Sequence, residues 1–366
     1  MEMEELCREL PKIELHAHLN GSVRDSTLLE LAKVLGDQGA IDFSEVEGLI
    51  KRRGRSLKEC FRLFDIYHKI TTDHATVTRI TQEVVEDFAA ENVVYLELRT
   101  TPKQNKAKEM TKHSYMKAVI DGLTAVDSVE VAFLPSTVNA RNLTNFLPNE
   151  VTYNQTHRKK IFVRLLLSID RRETTAAAME TVNLALEMKN MGVIGIDLSG
   201  NPEVGEWQTF LPALQYAKLK GLQVTLHCGE VRNNREIHSM LDFYPQRIGH
   251  ACYLEEEHWE KLKVSKIPVE ICLTSNLRTE RITSFKEHHF ADLYNAKHPV
   301  SLCTDDVGLF STTLSNEYYL AATTFGFNKE QVYHLSRNAI EFVFADDEVK
   351  RTLAEIYDAA ERRFIL

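Results

Sequence analysis

Three histidines and one aspartate stand at positions where together they could bind a metal ion. His16 and His18 are separated by one residue in an apolar segment, and residues two apart on a β-strand point to the same face. His227 and Asp305 each follow another apolar segment. Nitrogen and oxygen ligands in this number suit zinc, which keeps one position open for water in catalytic sites, although iron or cobalt could occupy the same set. The four residues therefore predict a metal-assisted reaction with water.

Three acidic or imidazole groups beside these ligands could carry out proton chemistry. Glu230 lies three residues after His227, beyond a glycine-containing turn, so its carboxyl can face a substrate without binding the metal; the alternative is a surface glutamate at a helix start. His250 is either a catalytic histidine or a buried histidine of the core. Asp306 follows Asp305 directly, and adjacent residues point in different directions. One carboxylate can therefore bind the metal while the other contacts the substrate.

Short segments rich in Val, Ile and Leu must position these residues. Eight of them predict parallel strands buried on both faces: residues 14–19, 93–98, 161–169, 193–198, 223–226, 247–249, 269–273 and 300–303. Helical patterns separate most of them, and this alternation is typical of an α/β protein with a closed (β/α)8 (TIM) barrel. Polar residues gather where the strands end, and the C-terminal ends of barrel strands are where active sites are built.

The rest of the chain fits one barrel domain spanning residues 1–366. Residues 23–90 are helical in pattern and too long for one crossover, so we expect a helical insertion after the first strand; it could serve as a lid or simply pack on the barrel. Residues 129–134 predict a ninth strand. The polar stretch 135–157 predicts a loop insertion, and residues 326–366 predict C-terminal helices.

Composition excludes several other classes of protein. The 366 residues are 43% hydrophobic and 27% charged with a formal net charge of −9, which disfavours nucleic acid and anionic membranes as partners. The start of the chain does not resemble a signal peptide, and no apolar run predicts a membrane span. The six cysteines form no CxxC pair, which argues against a cysteine zinc site and fits a reducing compartment. We expect a cytosolic monomer.

Seven motifs follow one another between residue 11 and about residue 345: HAHLNGS, YLELRTTP, DLSGNP, LHCGE, RIGH, EICLTSN and CTDD. By these motifs the sequence resembles the adenosine/AMP deaminase family, and within it the adenosine deaminase-like branch. The resemblance implies a metal-dependent (β/α)8 barrel with one Zn²⁺ per chain. The family's metal ligands match His16, His18, His227 and Asp305.

The same resemblance implies roles for the residues around the metal. Glu230 matches the carboxyl group that protonates purine N1, and His250 matches the histidine that orients and deprotonates the attacking water. Asp306 matches the contact to purine N7, and Gly200 matches a backbone contact to the ring. Asp305 then acts both as a ligand and in catalysis.

One departure from the family concerns the sugar end of the substrate. Adenosine deaminases carry Asp in HLDG where this sequence has Asn20. A carboxylate would repel a 5′-phosphate, whereas an amide can donate a hydrogen bond to it. Lys103 could add charge, the alternative being a solvated lysine. The other residues we expect around the substrate are His18, His68 on the lid segment, Thr100, Thr101, Pro102 and Asp170.

These features predict hydrolysis of a purine nucleoside 5′-monophosphate. The resemblance alone makes N6-methyl-AMP the expected substrate, with IMP and methylamine as products. The alternatives are an adenosine or AMP deaminase that releases ammonia, a metal hydrolase acting on other compounds, and a family member that binds nucleotide without turnover. Asn20 argues against an adenosine substrate, and the filled catalytic positions argue against the last alternative.

Overall fold

A parallel β-sheet organises the part of the chain that the structure describes. The structure is a computed structural model that describes residues 1–52, 55, 57–134 and 159–364, and the predicted insertion 135–157 lies outside these ranges. The strands are β1 Lys12–His18, β2 Val93–Thr100, β3 Glu130–Ala132, β4 Lys160–Asp170, β5 Val193–Ser199, β6 Gln223–Cys228, β7 Arg247–His250, β8 Val269–Ile271 and β9 Val300–Leu302.

Eight of these strands close into a barrel. The order is β1-β2-β4-β5-β6-β7-β8-β9, and every neighbouring pair is parallel. The ring closes between β1 and the residues after β9, because the amide of His18 donates to the carbonyl of Asp305 at 2.9 Å and the amide of Asp305 donates to the carbonyl of His16 at 2.8 Å. The predicted (β/α)8 barrel is confirmed.

The ninth strand lies outside this ring. Strand β3 pairs in parallel with the first three residues of β4, from Lys160 to Phe162. Strand β5 pairs with the same edge of β4 further along, from Leu165 onward. Strand β3 therefore extends the sheet only at the N-terminal end of the barrel, away from the end where the polar residues gather.

The seventh barrel strand is shorter than the prediction of 269–273. Strand β8 ends at Ile271, and a helix begins at Leu273. The buried carboxylate of Glu317 accepts hydrogen bonds from the amide of Thr274, at 3.1 Å, and from its hydroxyl. A side-chain oxygen that accepts from a free amide stabilises the start of a helix. This contact accounts for the early end of the strand.

The described residues contain helices on the outside of the barrel and over its mouth. Their bounds are α1 Met3–Glu9, α2 Asp25–Asp37, α3 Phe43–Ile50, α4 Leu57–Ile70, α5 His74–Ala90, α6 Lys112–Ala125, α7 Thr175–Glu187, α8 Trp207–Leu219, α9 Asn234–Phe243, α10 Glu256–Ser265, α11 Leu273–Arg278, α12 Phe290–Asn295, α13 Val307–Phe310, α14 Leu314–Phe325, α15 Lys329–Asn338 and α16 Asp347–Phe364. None of these helices has both the length and the apolar character needed to cross a membrane.

Four helices occupy the segment between β1 and β2, where an insertion was predicted. Helix α5 packs against α6, with the hydroxyl of Thr78 donating to the carbonyl of Ala118 at 3.1 Å, so it forms part of the outer ring of the barrel. Helices α2, α3 and α4 are the added elements. The guanidinium of buried Arg55 donates to the carbonyls of Gly308 and Leu309 at 2.7 and 2.8 Å, which fixes the added helices to α13.

Candidate active site

The four predicted metal ligands converge at the C-terminal mouth of the barrel. Nε2 of His227 lies 3.1 Å from Nε2 of His16 and 3.1 Å from Nε2 of His18. Oδ1 of Asp305 lies 3.5 and 3.3 Å from the same two nitrogens. The residues come from the ends of β1 and β6 and from the turn after β9. Three nitrogen lone pairs and one carboxylate oxygen therefore face a common point.

The spacing of these donor atoms fits a small divalent ion. Ligands at the usual zinc distance of about 2.0–2.1 Å in tetrahedral arrangement lie about 3.3 Å from one another. The observed separations of 3.1 to 3.5 Å bracket that value. Without a positive charge between them, the donors would be buried at repulsive distances. The donor set and its spacing thus fit a zinc ion.

Two buried carboxylates orient the ligand imidazoles from behind. Nδ1 of His16 lies 2.5 Å from Oε2 of Glu270, and Nδ1 of His227 lies 3.0 Å from Oδ1 of Asp197. A carboxylate can only accept, so Nδ1 carries the proton and Nε2 keeps its lone pair for a metal. Such carboxylate–histidine pairs are usual around metal sites.

A buried charge network in turn holds these carboxylates. Glu270 also accepts from Arg99 at 2.9 Å and from Arg247 at 2.6 Å, and Arg99 pairs with Asp197 at 3.2 Å. Burial opposes ionisation of Glu270, but Arg99, Arg247 and the bond from His16 together hold its pKa well below the usual value. The site is therefore supported by a layer of paired charges inside the barrel.

Gly249 leaves the space that the His16 ring occupies. A Cβ at this position would lie 2.6 Å from Cε1 of His16, and the ring cannot move away without losing Glu270. We expect Gly249→Ala to weaken zinc affinity about 10–100-fold, the range usual for disturbed supporting contacts. Competition of the purified protein with a zinc chelator would measure the change.

Gly48 provides a matched control for that substitution. It lies in α3, and a Cβ there would have no atom within 4 Å. Gly48→Ala should leave zinc affinity unchanged and stabilise the helix by up to ~1 kcal/mol. Equal zinc affinity in Gly249→Ala and the wild type would show that the His16 ring is not held as described.

Glu230 and His250 stand beside the four predicted metal ligands. Nε2 of His250 is 4.0 Å from Oδ2 of Asp305 and 3.8 Å from Oε1 of Glu230. This nitrogen is buried and has no hydrogen-bond partner among the described residues. Arg281 contacts Oε1 of Glu230 at 3.0 Å and donates from Nε to its backbone carbonyl at 2.9 Å. Glu230 thus faces the site without being one of the four converging ligands.

Asp306 points into the site next to the last ligand. Its Oδ1 is buried and without a hydrogen-bond partner in the described structure. Burial, and then the adjacent charge of Asp305, raises the pKa of Asp306 well above its usual value. A Cβ on Gly21 would overlap this carboxyl, at 1.7 Å from Oδ1. The glycine of the HLNG sequence therefore makes room for Asp306.

Two further residues predicted around the substrate, Gly200 and Asp170, lie on neighbouring strand ends. Gly200 follows β5 with a φ of +105°, a conformation that favours glycine, and a Cβ there would lie 3.1 Å from Oδ1 of Asp170. Asp170 ends β4 and accepts from Arg172, at 3.0 Å from Nε and 2.5 Å from Nη2. Burial opposes ionisation of Asp170, but these bonds lower its pKa overall.

The structure divides the predicted phosphate residues between two small clusters. In the first, the hydroxyl of Thr100 donates to Oδ1 of Asn20 at 3.2 Å, and Nδ2 of Asn20 donates to the hydroxyl of Tyr115 at 3.2 Å. Asn20 is half-buried beside His18. Neutral hydroxyl groups thus hold the Asn20 side chain, and they add no charge beside a ligand that binds there.

The second cluster contains Lys103 and the end of α4. Nζ of Lys103 donates to Thr71 at 2.5 Å, which ties the loop after β2 to the added helices. Burial and then the charge of Arg172 lower the pKa of Lys103 to about 7. Burial, Lys103 and Arg172 lower the pKa of His68 to about 4. Three groups able to carry positive charge therefore lie near one another at this corner, with half-buried Thr101 and buried Pro102 between the clusters along the chain.

Sequence reasoning missed several residues that shape the site. Asp197 and Glu270 lie inside segments predicted as buried strands, and a charged residue in such a segment was the available signal. Arg99 directly follows the predicted second strand, and its side chain is buried inside the barrel, where it contacts Glu270 and Asp197. Arg172 and Arg281 lie in loops and had no local signal. Other polar residues that support the site and were not predicted are Glu14, Glu97, Tyr115, Arg247, Asn276 and His288.

An active site at the C-terminal mouth is the arrangement that (β/α)8 barrel enzymes share. A family model described as "Adenosine deaminase" matches residues 11–360. N6-mAMP deaminase of Arabidopsis thaliana is 62% identical over 356 residues, which cover 97% of this chain and 98% of that protein. N6-Methyl-AMP deaminase of Homo sapiens is 36% identical over 367 residues, covering 98% of this chain and 95% of that protein.

A solved structure supports the same relationship. The crystal structure of Arabidopsis ADAL complexed with IMP matches this fold with a TM-score of 0.90 at 61% identity, covering 99% of this chain and 100% of that chain. Sequence and fold agree over nearly the whole length. The chain belongs to the adenosine deaminase family.

Proposed function

We propose that this protein is a zinc-dependent hydrolase that converts N6-methyl-AMP and water to IMP and methylamine. The observation that carries the proposal is the convergence of His16, His18, His227 and Asp305, with Glu230 and His250 beside them. The substrate follows from the relatives named N6-methyl-AMP deaminases, from the IMP bound to the Arabidopsis protein, and from Asn20 at the sugar end.

His16, His18, His227 and Asp305 would hold the zinc ion. When bound, zinc lowers the pKa of a coordinated water toward about 7 and so supplies a nucleophile at neutral pH. The carboxylates of Glu270 and Asp197 keep the ligand imidazoles in the tautomer that can bind it.

The chain's own groups would carry the protons and orient the ring. Glu230 donates a proton to N1, which makes C6 electrophilic. His250 and Asp305 hold the attacking oxygen as it adds to C6. Asp306, whose raised pKa favours the protonated carboxyl, donates to the acceptor N7. One proton of the attacking water replaces the proton that Glu230 gives to N1, and the other passes from the added oxygen to the exocyclic nitrogen. The C6–nitrogen bond then breaks, which releases methylamine and leaves a carbonyl oxygen at C6.

An activity comparison over three substrates tests the proposal. The zinc-loaded protein would be incubated separately with N6-methyl-AMP, AMP and adenosine, and IMP or inosine would be measured by chromatography together with the released amine. We expect the highest kcat/KM with N6-methyl-AMP. Highest efficiency with adenosine or AMP would favour the alternative deaminases, and no turnover of any of the three would contradict the proposal.

Substrate choice at the sugar end gives a second test. Asn20→Asp places a carboxylate where a 5′-phosphate would lie, and the lost hydrogen bond to a charged group contributes about 1.5–3 kcal/mol. We expect kcat/KM for N6-methyl-AMP to fall about 10–100-fold, with little change for N6-methyladenosine.

Lys103→Ala should also lower kcat/KM for the nucleotide more than for the nucleoside, because Lys103 offers a charge to the phosphate. The measurement is kcat/KM for the matched nucleotide and nucleoside.

Asn92→Asp is the charge-matched control. Asn92 precedes β2 and donates to the carbonyl of Glu9 at 2.6 Å, at the opposite end of the barrel. The 8 residues of β2 separate it from the mouth by about 25 Å. Asn92→Asp adds the same charge far from the expected phosphate position, so the preference for nucleotide over nucleoside should persist. Equal efficiency of the wild type on nucleotide and nucleoside, or normal nucleotide hydrolysis by Asn20→Asp, would contradict the assignment.

We further propose that the protein acts as a cytosolic monomer. Every group named in the mechanism comes from one chain, so the reaction needs no second copy. The six cysteines are free, and five are buried, which suits a reducing compartment. Light scattering of the purified protein at micromolar concentration would show about twice the monomer mass if this proposal is wrong.

A further inference from the structure

A line of buried hydrogen bonds runs from the backbone of α12 to the catalytic histidine. The amide of Phe290 donates to Nδ1 of His288 at 3.0 Å. Nε2 of His288 lies 3.2 Å from Oδ1 of Asn276, and Nδ2 of Asn276 lies 2.9 Å from Nδ1 of His250. Both His288 and Asn276 are at most 1% exposed. Bulk solvent therefore does not reach the side chains of this line.

The direction of the line is fixed at its first bond. A backbone amide can only donate, so Nδ1 of His288 must accept and a neutral His288 must carry its proton on Nε2. That N–H needs an acceptor, which places the carbonyl oxygen of Asn276 toward His288. The amide nitrogen of Asn276 is then turned toward His250 and donates to its Nδ1. A neutral His250 consequently carries its proton on Nε2.

The opposite orientation of the Asn276 amide would place hydrogen-bond donors against each other. With the Asn276 amide turned over, two N–H groups would face each other at His288 unless that ring moved its proton to Nδ1. The proton on Nδ1 would then face the amide of Phe290, which also donates. An unpaired buried donor costs about 1–3 kcal/mol. Burial lowers the pKa of His288 to about 2, which excludes a doubly protonated ring that would donate from both nitrogens.

His289, the residue after His288, supports the backbone of His250. Nε2 of His289 donates to the backbone carbonyl of His250 at 2.7 Å, and the His288 and His289 rings stack with centroids 4.4 Å apart. His250 has a φ of +64°, in the left-handed region that strains a residue other than glycine. The bond from His289 thus supports the strained backbone, while the line through Asn276 governs the ring.

We propose that Asn276 and His288 are positioning residues that fix His250 in the tautomer with the proton on Nε2. His250 then meets the attacking oxygen as a hydrogen-bond donor, because Nε2 has no lone pair to take a proton while Asn276 donates to Nδ1. The family resemblance assigns this histidine both orientation and deprotonation; the geometry points to orientation. This inference rests on the proposed function for the identity of the attacking oxygen, but not for the tautomer.

The tautomer is measurable without turnover. Zinc-loaded protein containing ¹⁵N-histidine would be studied by two-bond ¹H–¹⁵N correlation spectra, which separate protonated from unprotonated ring nitrogens. The His250 signals are identified by their loss in His250→Gln. In the wild type we expect Nε2 protonated and Nδ1 unprotonated. In Asn276→Asp a carboxylate faces Nδ1 and should reverse this pattern, with kcat about 10–100-fold lower and KM within about 3-fold of the wild type.

Substitutions at His288 separate positioning from packing. In His288→Gln one amide can accept from Phe290 and donate to Asn276, so we expect the wild-type tautomer and kcat within about 3-fold. In His288→Leu the donor is lost, and we expect both tautomers of His250 with a lower kcat. His298→Gln is the control, because His298 is also a buried histidine and its Nε2 donates to the carbonyl of Ile267. It should leave the His250 spectrum unchanged.

Several results would overturn the inference. They are a wild-type His250 protonated on Nδ1, an Asn276→Asp protein with unchanged tautomer and kcat, or equal spectra and rates for His288→Gln and His288→Leu. If Asn276→Asp fails to fold, the wild-type spectrum and the two His288 variants still decide. Failure of the proposed function looks different: no variant, nor the wild type, would then hydrolyse N6-methyl-AMP, while the tautomer would remain as described.

Discussion

His227→Ala is expected to lose both bound zinc and activity. Nε2 of His227 is the donor atom closest to both His16 and His18, at 3.1 Å from each. Its removal leaves three of the four proposed ligands. Zinc should fall from about one ion per chain to none after dialysis, and activity should fall by several orders of magnitude because no nucleophile forms at neutral pH. Elemental analysis and kcat/KM would measure the two losses.

The fold should survive this substitution. Asp197, the carboxylate behind His227, keeps Arg99 at 3.2 Å and the hydroxyl of Ser168 at 2.9 Å. His298→Ala is a suitable control, since His298 is a buried histidine at the N-terminal end of β9, away from the mouth. It should keep zinc and activity even where it lowers the melting temperature. Full activity in protein shown by elemental analysis to be free of metal would rule out the mechanism.

Glu230→Gln should retain zinc and lose turnover. Glu230 is not among the converging ligands, so an amide in its place leaves the metal site intact. The amide has no acidic proton for N1, and general acid–base catalysis contributes about 10²–10⁴-fold. We expect kcat to fall by that factor, with zinc content unchanged. Steady-state kinetics beside elemental analysis of the same sample would show both results.

A second glutamate separates this effect from the loss of an ion pair. Glu236 on α9 pairs with Arg171 at 2.6 Å, much as Glu230 pairs with Arg281 at 3.0 Å. Glu236→Gln removes one charge from a comparable pair without touching the proposed proton path. It should keep kcat close to that of the wild type. If Glu230→Gln instead lost zinc while retaining residual turnover, the division between ligands and acid would be incorrect.

Most strand positions, and the convergence of the four proposed metal ligands, were accessible from sequence because they depend on local patterns. A buried parallel strand requires a run of apolar residues, and side-chain alternation places His16 and His18 on one face. The sequence also shows where the apolar segments before His227 and Asp305 end, so both residues could be assigned to the same mouth. The barrel then brings these ends together whatever the intervening residues are.

The supporting residues were not accessible in the same way. Asp197 and Glu270 are recognisable as charged residues in apolar strands, but their partners depend on the stagger between strands, which the sequence does not display. Asn276 lies in α11, where the sequence favoured the end of a strand. Its role depends on the approach of His288 from another element. Contacts between elements distant in the chain require the assembled barrel.

The closure between β1 and the turn after β9 has a consequence for folding. Glu14 accepts from the amide and hydroxyl of Thr304, 290 residues later, at 3.0 and 2.8 Å. Contacts between such distant residues form late, because the chain between them must first be ordered. Synthesis proceeds from the N-terminus, so His16 and His18 are made long before Asp305 is available to complete the set. A nascent or truncated chain that ends before Asp305 therefore has neither a closed barrel nor all four proposed metal ligands, so we expect tight metal binding only after the barrel has closed.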